Sequence, residues 1–157
     1  MSASCIYWAA PFFDHAWLRY NEHCAALLRG AGYDVFLPQE QAFNDPGHDP
    51  DAETVFDGDL AEIRQSDALI AVLDGETIDS GVAAEAGLAY AYGIPVIGLY
   101  TDLRQHRRAE GRSYKNLFVL GLARRSHGVL THEDELLPAL AELFASNPAC
   151  KHGGRSL

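Results

Sequence analysis

The sequence is poor in basic residues. Its 157 residues include 12 lysines and arginines against 22 aspartates and glutamates, which gives a formal net charge of -10 at pH 7. A protein that binds a nucleic acid or an anionic membrane needs a surplus of positive charge to meet the phosphates. The charge balance therefore argues against both partners. It argues only weakly against a phosphorylated small molecule, because a few local donors can hold one phosphate.

Cysteine is also scarce. Cys5, Cys24 and Cys150 are scattered along the chain and odd in number. They show neither CxxC nor any other metal-ligand spacing, so we expect reduced thiols in a cytoplasmic protein and no bound metal. No apolar run approaches the length of a transmembrane helix. Residues 1–10 lack the basic region of a signal peptide and predict a strand instead.

Several catalytic and cofactor motifs are absent. Residues 9–13, which follow the first predicted strand, contain no glycine, so the phosphate-binding fingerprint of a flavin or dinucleotide site is missing. There is no GxSxG elbow, and the seven histidines form no HExxH or comparable cluster. We therefore expect no cofactor. Carboxylates and aromatic side chains remain, and glycosyl transfer suits them, because one carboxylate attacks the anomeric carbon while another acid handles the proton.

The sequence does contain a regular alternation of strand-like and helix-like segments. Short apolar runs predict five strands, over residues 4–10, 33–37, 68–73, 94–100 and 128–130. Helical spacing predicts helices over residues 15–28, 52–66, 82–92 and 131–145, the last capped by Thr131, whereas 114–122 is only a short apolar piece. The alternation predicts a flavodoxin-like, doubly wound α/β fold with a five-stranded parallel sheet in the order 2-1-3-4-5. We expect a single domain over residues 1–146 and a flexible tail over 147–157.

The carboxyl ends of strands 1 and 3 are the expected place for a ligand. These strands are neighbours in the predicted order, and the chain reverses direction between them. Tyr7 lies on strand 1 and Glu85 in the helix after strand 3, so we expect the phenol to orient the carboxylate. Asp79 or Ser80 is predicted to cap that helix. The helix dipole favours a negative charge near the N-terminus, so we expect Glu85 to stay ionised, as a nucleophile requires. Acids near helix N-termini are also common for electrostatic reasons alone, which is the alternative reading.

Two irregular segments lie outside these elements. Residues 38–51 form a loop that is long for a small domain, and such loops are often functional. Gln39 and Gln41 are candidates for contacts with a ligand there, against the alternative of a solvated surface loop. Residues 101–114 are polar and rich in arginine, which predicts a mobile loop.

Five short motifs occur in a characteristic order. They are Tyr7 to Phe12 (tyrosine, small residues and Pro-Phe), Gly58-Asp59-Leu60, Asp79-Ser80-Gly81 with Glu85-Ala86-Gly87-Leu88-Ala89, Thr101-Asp102-Leu103-Arg104, and Asn116-Leu117-Phe118. With them the chain resembles the nucleoside 2-deoxyribosyltransferase family over nearly its whole ordered length. The Asp-Ser-Gly and Glu block is fairly specific, whereas the other motifs are weak alone.

The resemblance implies a reaction and three catalytic residues. Glu85 would be the nucleophile and form a covalent 2-deoxyribosyl-enzyme intermediate. Tyr7 would hold and orient Glu85, and Asp59 would supply or accept the proton of the base. Such a pentosyltransferase moves 2-deoxyribose from a 2′-deoxynucleoside to a free nucleobase with retention, a reaction of nucleotide salvage.

The resemblance also implies substrate contacts and partners. Asp79 would bind sugar hydroxyls, and Asn116 would reach the sugar in the site of a neighbouring subunit, which Phe118 would line. Phe12 and Gln41 are further candidates for substrate contact. The expected partners are a 2′-deoxynucleoside, a free purine or pyrimidine base, and further copies of this chain in a homo-oligomer with shared sites.

Some positions depart from the family pattern and leave alternatives open. Ala10 stands where glycine is frequent, Val82 where threonine is frequent, and Phe118 where methionine is frequent, so base preference is not predicted. One alternative is an N-glycosidase that hydrolyses a nucleoside or its 5′-monophosphate, although residues 12–15 are a poor cradle for a phosphate. The other is a non-catalytic nucleoside-binding module, for which an oriented nucleophilic carboxylate would be unnecessary.

Overall fold

Five parallel strands form a single sheet in the order β2-β1-β3-β4-β5. The computed structural model describes residues 3–44, 49, 51–103 and 115–146. The strands are β1 (Cys5–Ala9), β2 (Asp34–Phe36), β3 (Ala68–Val72), β4 (Val96–Leu99) and β5 (Val129–Leu130). The predicted flavodoxin-like order is confirmed, and each strand begins and ends within two residues of its predicted limits.

Helices cover both faces of this sheet. The described part of the chain contains α1 (His15–Gly30), α2 (Ala52–Gln65), α3 (Ser80–Ala91), α4 (Leu117–Ser126) and α5 (Leu136–Ser146). Short 3-10 turns occur at Pro38–Glu40, Ala42–Asn44 and Glu133–Glu135. No helix in the described ranges is long and apolar enough to span a lipid bilayer.

Neighbouring residues of β1 point to opposite faces of the sheet, as the pleat of a strand requires. Trp8 packs with Leu28 of α1 and Leu140 of α5 in one apolar layer. Tyr7 packs with Ile63 of α2, and with α3 and α4, in the other layer. Both aromatic side chains are fully buried, and β3 is buried along its whole length. The central strands are therefore held from both sides, which fixes the positions of their carboxyl ends.

Two local features differ from what the sequence indicated. The apolar piece that the sequence left without a helix contains the start of one: α4 begins at Leu117, and Asn116 caps it by accepting from the backbone N–H of Phe118 at 2.9 Å. Thr131 does not cap the last helix: α5 follows a 3-10 turn, and His132 caps that turn by accepting from the Asp134 backbone N–H. Thr131 is instead held by Glu135, whose carboxylate accepts from the Thr131 backbone N–H at 3.0 Å.

Two further predictions fall outside the described residues. The expected mobile loop over 101–114 is described only as far as residue 103, and the expected tail over 147–157 is not described. The single-domain limits of 1–146 and the tail therefore stay predictions.

Candidate active site

Tyr7 and Glu85 meet at the point where β1 and β3 lie side by side. The Tyr7 hydroxyl donates a hydrogen bond of 2.7 Å to Oε1 of Glu85. β1 supplies the tyrosine, and α3, which follows β3, supplies the carboxylate. The predicted contact between these distant parts of the sequence is confirmed, while the catalytic role of each residue stays a prediction.

The Tyr7 ring is held rigidly. It is fully buried, and it stacks on the ring of Phe36 with the ring centroids 5.2 Å apart. Burial, together with the negative charges of Glu85 and Asp59, raises the pKa of Tyr7 far above its ordinary value of 10. The phenol therefore stays protonated and remains a hydrogen-bond donor to Glu85.

Glu85 does not remain fully ionised at neutral pH, which corrects the prediction from the helix dipole. Burial raises the pKa of Glu85 to about 7, the charges of Asp59 and Asp79 add to the rise, and the Tyr7 hydrogen bond opposes it. Glu85 is the sixth residue of α3, in its second turn, and the dipole effect falls off within the first turn. The side chain consequently changes charge near physiological pH.

Asp59 lies on α2, close enough to influence the pKa values of both Tyr7 and Glu85. Burial raises the pKa of Asp59 to about 6, against the opposing effect of the Tyr7 hydroxyl. Its Oδ1 atom is buried and accepts no hydrogen bond from any residue in the described ranges. The single proton of the Tyr7 hydroxyl is directed to Glu85, so this buried oxygen of Asp59 has no hydrogen-bond partner among the described residues.

Asp79 caps α3, as predicted. Its Oδ1 accepts from the backbone N–H groups of Gly81 at 2.8 Å and Val82 at 3.1 Å. The Asp79 carboxylate is partly buried and close enough to raise the pKa of Glu85. The cap therefore orients a third carboxylate near Glu85, and a role in sugar binding stays a prediction.

Asp74 ties together the ends of β3 and β4. Its carboxylate accepts from the Thr101 hydroxyl at 2.7 Å and from the Asp102 backbone N–H at 2.6 Å. The buried Lys115 ammonium donates to the backbone carbonyl of Gly75, next to Asp74 in sequence. These contacts fix the start of the β3–α3 loop and hold the residue before Asn116 against it.

Asn116 and Phe118 lie at the N-terminus of α4, on the surface of the chain. The Phe118 side chain is 83% exposed and that of Leu117 is 70% exposed. Oδ1 of Asn116 accepts the cap hydrogen bonds of α4. Within the described part of the chain, no hydrogen bond joins Asn116 to Tyr7 or Glu85, and the role of both residues in a neighbouring subunit stays a prediction.

Phe12 and Gln41 occupy the loops that follow β1 and β2. Phe12 is partly buried and stacks on the exposed ring of Phe13, with centroids 4.8 Å apart. The Gln41 amide makes a long hydrogen bond of 3.4 Å to the Leu37 carbonyl. Gln39, by contrast, accepts from Asn21 at 2.9 Å and donates to a backbone carbonyl, so its amide is already engaged within the protein.

The donor set suits acid–base and nucleophilic chemistry at carbon. At the carboxyl edge of the sheet Glu85 and Asp59 lie close to the Tyr7 phenol, and Asp79 lies close to Glu85. Two of these carboxyls have pKa values near neutrality, as expected of groups that act as nucleophile, acid or base. Across the residues that the structure describes, no group of three or more His, Cys, Asp or Glu side chains has the arrangement of a metal site.

These features define a doubly wound α/β protein with coupled carboxylates at its topological switch point. The family model described as nucleoside 2-deoxyribosyltransferase matches residues 6–140. The chain therefore belongs to the nucleoside 2-deoxyribosyltransferase family. Membership supports nucleoside deoxyribosyl transfer or a related N-glycosidase reaction.

Solved structures share this fold. A conserved protein from Enterococcus faecalis V583 is 37% identical with a TM-score of 0.77, and the match covers 89% of this chain and 98% of that one. A 2-deoxyribosyltransferase from Bacillus psychrosaccharolyticus is 24% identical with a TM-score of 0.64 over 85% and 90% of the two chains. A CMP N-glycosidase from Clostridium botulinum is 22% identical with a TM-score of 0.58 over 88% and 98%. A search of curated proteins found no match.

Several residues that shape the site were not predicted from the sequence. Phe36 stacks on Tyr7, Lys115 holds the β3–α3 loop, and Asn21 holds the loops that follow β1 and β2. Only Asn21 leaves a signal in the sequence, because it occupies a position of the apolar stripe that also contains Leu28. A polar residue at such a position is expected to have buried hydrogen-bond partners.

Proposed function

We propose that the protein transfers a 2-deoxyribosyl group from a 2′-deoxynucleoside to a free nucleobase through a covalent intermediate on Glu85. The observation that carries this proposal is the 2.7 Å hydrogen bond from the buried Tyr7 hydroxyl to Oε1 of Glu85. The bond fixes one carboxylate oxygen and leaves Oε2 as the oxygen for attack. Membership of the family supports the choice of substrate.

In the first half-reaction, Oε2 of ionised Glu85 attacks C1′ of the donor from the face opposite the base. The C1′–N bond breaks, and its electron pair leaves with the base. Asp59 in its protonated form gives its proton to the departing nitrogen. A carboxylic acid with a pKa of about 6 still holds a proton in part of the molecules near neutral pH, which supports this role.

In the second half-reaction, a nitrogen of the acceptor base attacks C1′ and the ester bond to Glu85 breaks. The electron pair of that bond returns to the carboxylate, and Asp59 takes the proton that the acceptor loses. Each step inverts C1′, so two steps retain the β configuration. The absence of a 2′-hydroxyl favours positive charge at C1′, because an electron-withdrawing substituent is missing.

The surrounding residues are assigned to binding. We assign the sugar hydroxyls to Asp79, whose cap hydrogen bonds fix its orientation beside Glu85. Phe12 and Gln41, in the loops that follow β1 and β2, are assigned to contacts with the substrate. The lack of a partner for the buried Oδ1 of Asp59 supports a hydrogen bond from an N–H group of the base.

We propose that Asn116 and Phe118 complete the site of a second copy in a homo-oligomer. The support is the exposure of Leu117 and Phe118 beside Asn116, because an apolar pair at this level of exposure suits a face that another subunit covers. Mixing an Asn116→Ala variant with a Glu85→Gln variant tests this directly. Shared sites predict that the mixture, after dissociation and reassociation, regains activity that neither variant has alone; separate sites predict no recovery.

Chromatography of a 2′-deoxynucleoside incubated with the protein, with and without an acceptor base, tests the reaction. The proposal predicts a new deoxynucleoside that appears only with the acceptor, and none from Glu85→Ala. The matched control is Asp57→Asn, which changes an exposed carboxylate on α2 and should retain the activity. Free base and deoxyribose at the same rate without acceptor would show a hydrolase, and no turnover of any purine or pyrimidine donor or its monophosphate would favour a binding module.

A further inference from the structure

A buried asparagine joins the two loops that follow β1 and β2. Asn21 of α1 is 1% exposed. Its Nδ2 donates to the Pro11 carbonyl at 3.0 Å and to Oε1 of Gln39 at 2.9 Å. Its Oδ1 accepts from the Trp8 indole N–H at 3.1 Å. One side chain therefore connects the core strand β1, the loop after it, and the 3-10 turn after β2.

The polarity of this network is fixed at its ends. The Trp8 indole nitrogen can only donate, and the Pro11 carbonyl can only accept, so the Asn21 amide has a single satisfactory orientation. Gln39 must then present Oε1 to Asn21, which leaves its Nε2 to donate to the Leu18 carbonyl at 3.1 Å. Neither an aspartate nor a leucine at position 21 can make the same bonds.

Asn21 lies across the sheet from the reacting groups. Trp8, to which it bonds, faces the layer of α1 and α5, whereas Tyr7 faces the layer of α2, α3 and α4. Asn21 therefore has no direct contact with the layer that contains Glu85. Apart from its bond to Trp8 of the buried strand β1, its bonds reach the site through the two loops.

Both loops lead towards the proposed substrate. The first contains Phe12, directly after the bonded Pro11. The second continues from Gln39 through a 3-10 turn in which the Asn44 amide donates to the Pro38 carbonyl at 3.0 Å. That turn packs on α2, so closely that a Cβ at Gly58 would lie 2.8 Å from Cζ of Phe43. Gly58 directly precedes Asp59, so the second loop is in contact with the helix turn that presents this carboxylate.

We propose that Asn21 is a positioning residue that holds the loops after β1 and β2 together and thereby determines the affinity of the site for its donor nucleoside. This inference rests on the proposed function for the nature of the ligand. The Tyr7–Glu85 hydrogen bond lies on the other face of the sheet, so we expect it to survive the loss of the Asn21 bonds. The expected effect is therefore on substrate binding and not on the ionisation of Glu85.

The test compares Asn21→Leu with two other variants. Gln39→Leu removes only the connection to the second loop. Ser126→Ala is the matched control, because it removes a partly buried hydrogen bond of 2.8 Å that the Ser126 hydroxyl accepts from the Val96 backbone N–H, towards the other edge of the sheet. The readouts are kcat and KM for the 2′-deoxynucleosides as a function of pH, and hydrogen exchange of residues 10–14 and 38–44.

For Asn21→Leu we expect the KM of the donor to rise on the order of tenfold, since misplaced binding groups lose much of their contribution. The apparent pKa of the pH–kcat profile should not move. Exchange should accelerate in both loops in Asn21→Leu, only in residues 38–44 in Gln39→Leu, and in neither loop in Ser126→Ala. Three results for folded Asn21→Leu would each overturn the inference. The first is an unchanged KM of the donor, the second is a shifted pH–kcat profile, and the third is faster exchange in only one of the two loops.

The same experiment separates this inference from the proposed function. If the wild-type protein turns over no deoxynucleoside, the proposed function fails, and dissociation constants of 2′-deoxyadenosine and thymidine measured by calorimetry replace KM. A larger dissociation constant in Asn21→Leu, together with faster exchange in both loops, would still support the inference. A wild-type protein that binds neither nucleoside would overturn both.

Discussion

Replacing Glu85 by glutamine should stabilise the protein at alkaline pH. The pKa of Glu85 rises from its ordinary 4.5 to about 7 in the folded chain, mainly through burial. Each pH unit between the two pKa values corresponds to about 1.36 kcal/mol. The gap of roughly 2.5 pH units therefore corresponds to a cost of about 3 kcal/mol for ionised Glu85 at pH 8, as an upper limit. Glutamine carries no charge and keeps the Oε1 acceptor for Tyr7.

The sign of the pH dependence follows from proton binding. Between pH 4.5 and about 7 the folded chain holds a proton on Glu85 that the unfolded chain has lost. Stability contributed by this group therefore falls as pH rises through that interval. Below pH 4.5 both states are protonated, and the difference between Glu85→Gln and the wild type should vanish. Above pH 7 the difference should be constant and largest.

Urea denaturation at several pH values between 4.5 and 8.5 measures the effect. The matched control is Glu22→Gln, which makes the same chemical change at an exposed position in the middle of α1. The control should differ from the wild type by less than about 0.5 kcal/mol, as surface substitutions usually do. The reasoning is refuted if Glu85→Gln is no more stable at pH 8 than at pH 4.5, each relative to the wild type.

Three further predictions concern Tyr7, Asp59 and the packing of Gly58 beside Asp59. Tyr7→Phe removes the hydrogen bond that lowers the pKa of Glu85, so the acid limb of the pH–rate profile should move to higher pH, by about one unit; an unmoved limb would contradict this coupling. Asp59→Asn should slow transfer from ordinary deoxynucleosides far more than transfer from donors whose base leaves without protonation. Steady-state rates with both kinds of donor measure this, and an equal loss of rate with both would exclude Asp59 as the acid. Gly58→Ala should cost about 1–3 kcal/mol in urea denaturation, because its Cβ meets the Phe43 ring at 2.8 Å, and Phe43→Leu should restore part of this loss.

Much of the fold could be predicted from the sequence because the signals are local or periodic. The buried strand β3 is a run of apolar residues bounded by polar ones, and Asp79 has the residue type and position of an N-cap. The contact of Tyr7 with Glu85 followed from strand order alone. Once β1 and β3 are neighbours, their carboxyl ends must share one edge of the sheet.

Other features depend on tertiary burial, which local patterns do not report. The helix dipole predicted an ionised Glu85, but desolvation in the folded chain outweighs it and raises the pKa to about 7. Thr131 has the residue type of a cap, yet the last helical segment begins with a 3-10 turn that His132 caps instead. The amide network of Asn21 joins segments that are far apart in the sequence, so only the folded chain reveals its partners.

The central claim is transfer through a covalent bond to Glu85, and the configuration of the product at C1′ tests it most directly. The measurement is proton NMR of the new deoxynucleoside formed from a β-configured donor and a free acceptor base. Two displacements at C1′, the first by Glu85, predict a β product, and no product from Glu85→Gln. An α product would mean one direct displacement by the acceptor base, and would contradict the covalent intermediate.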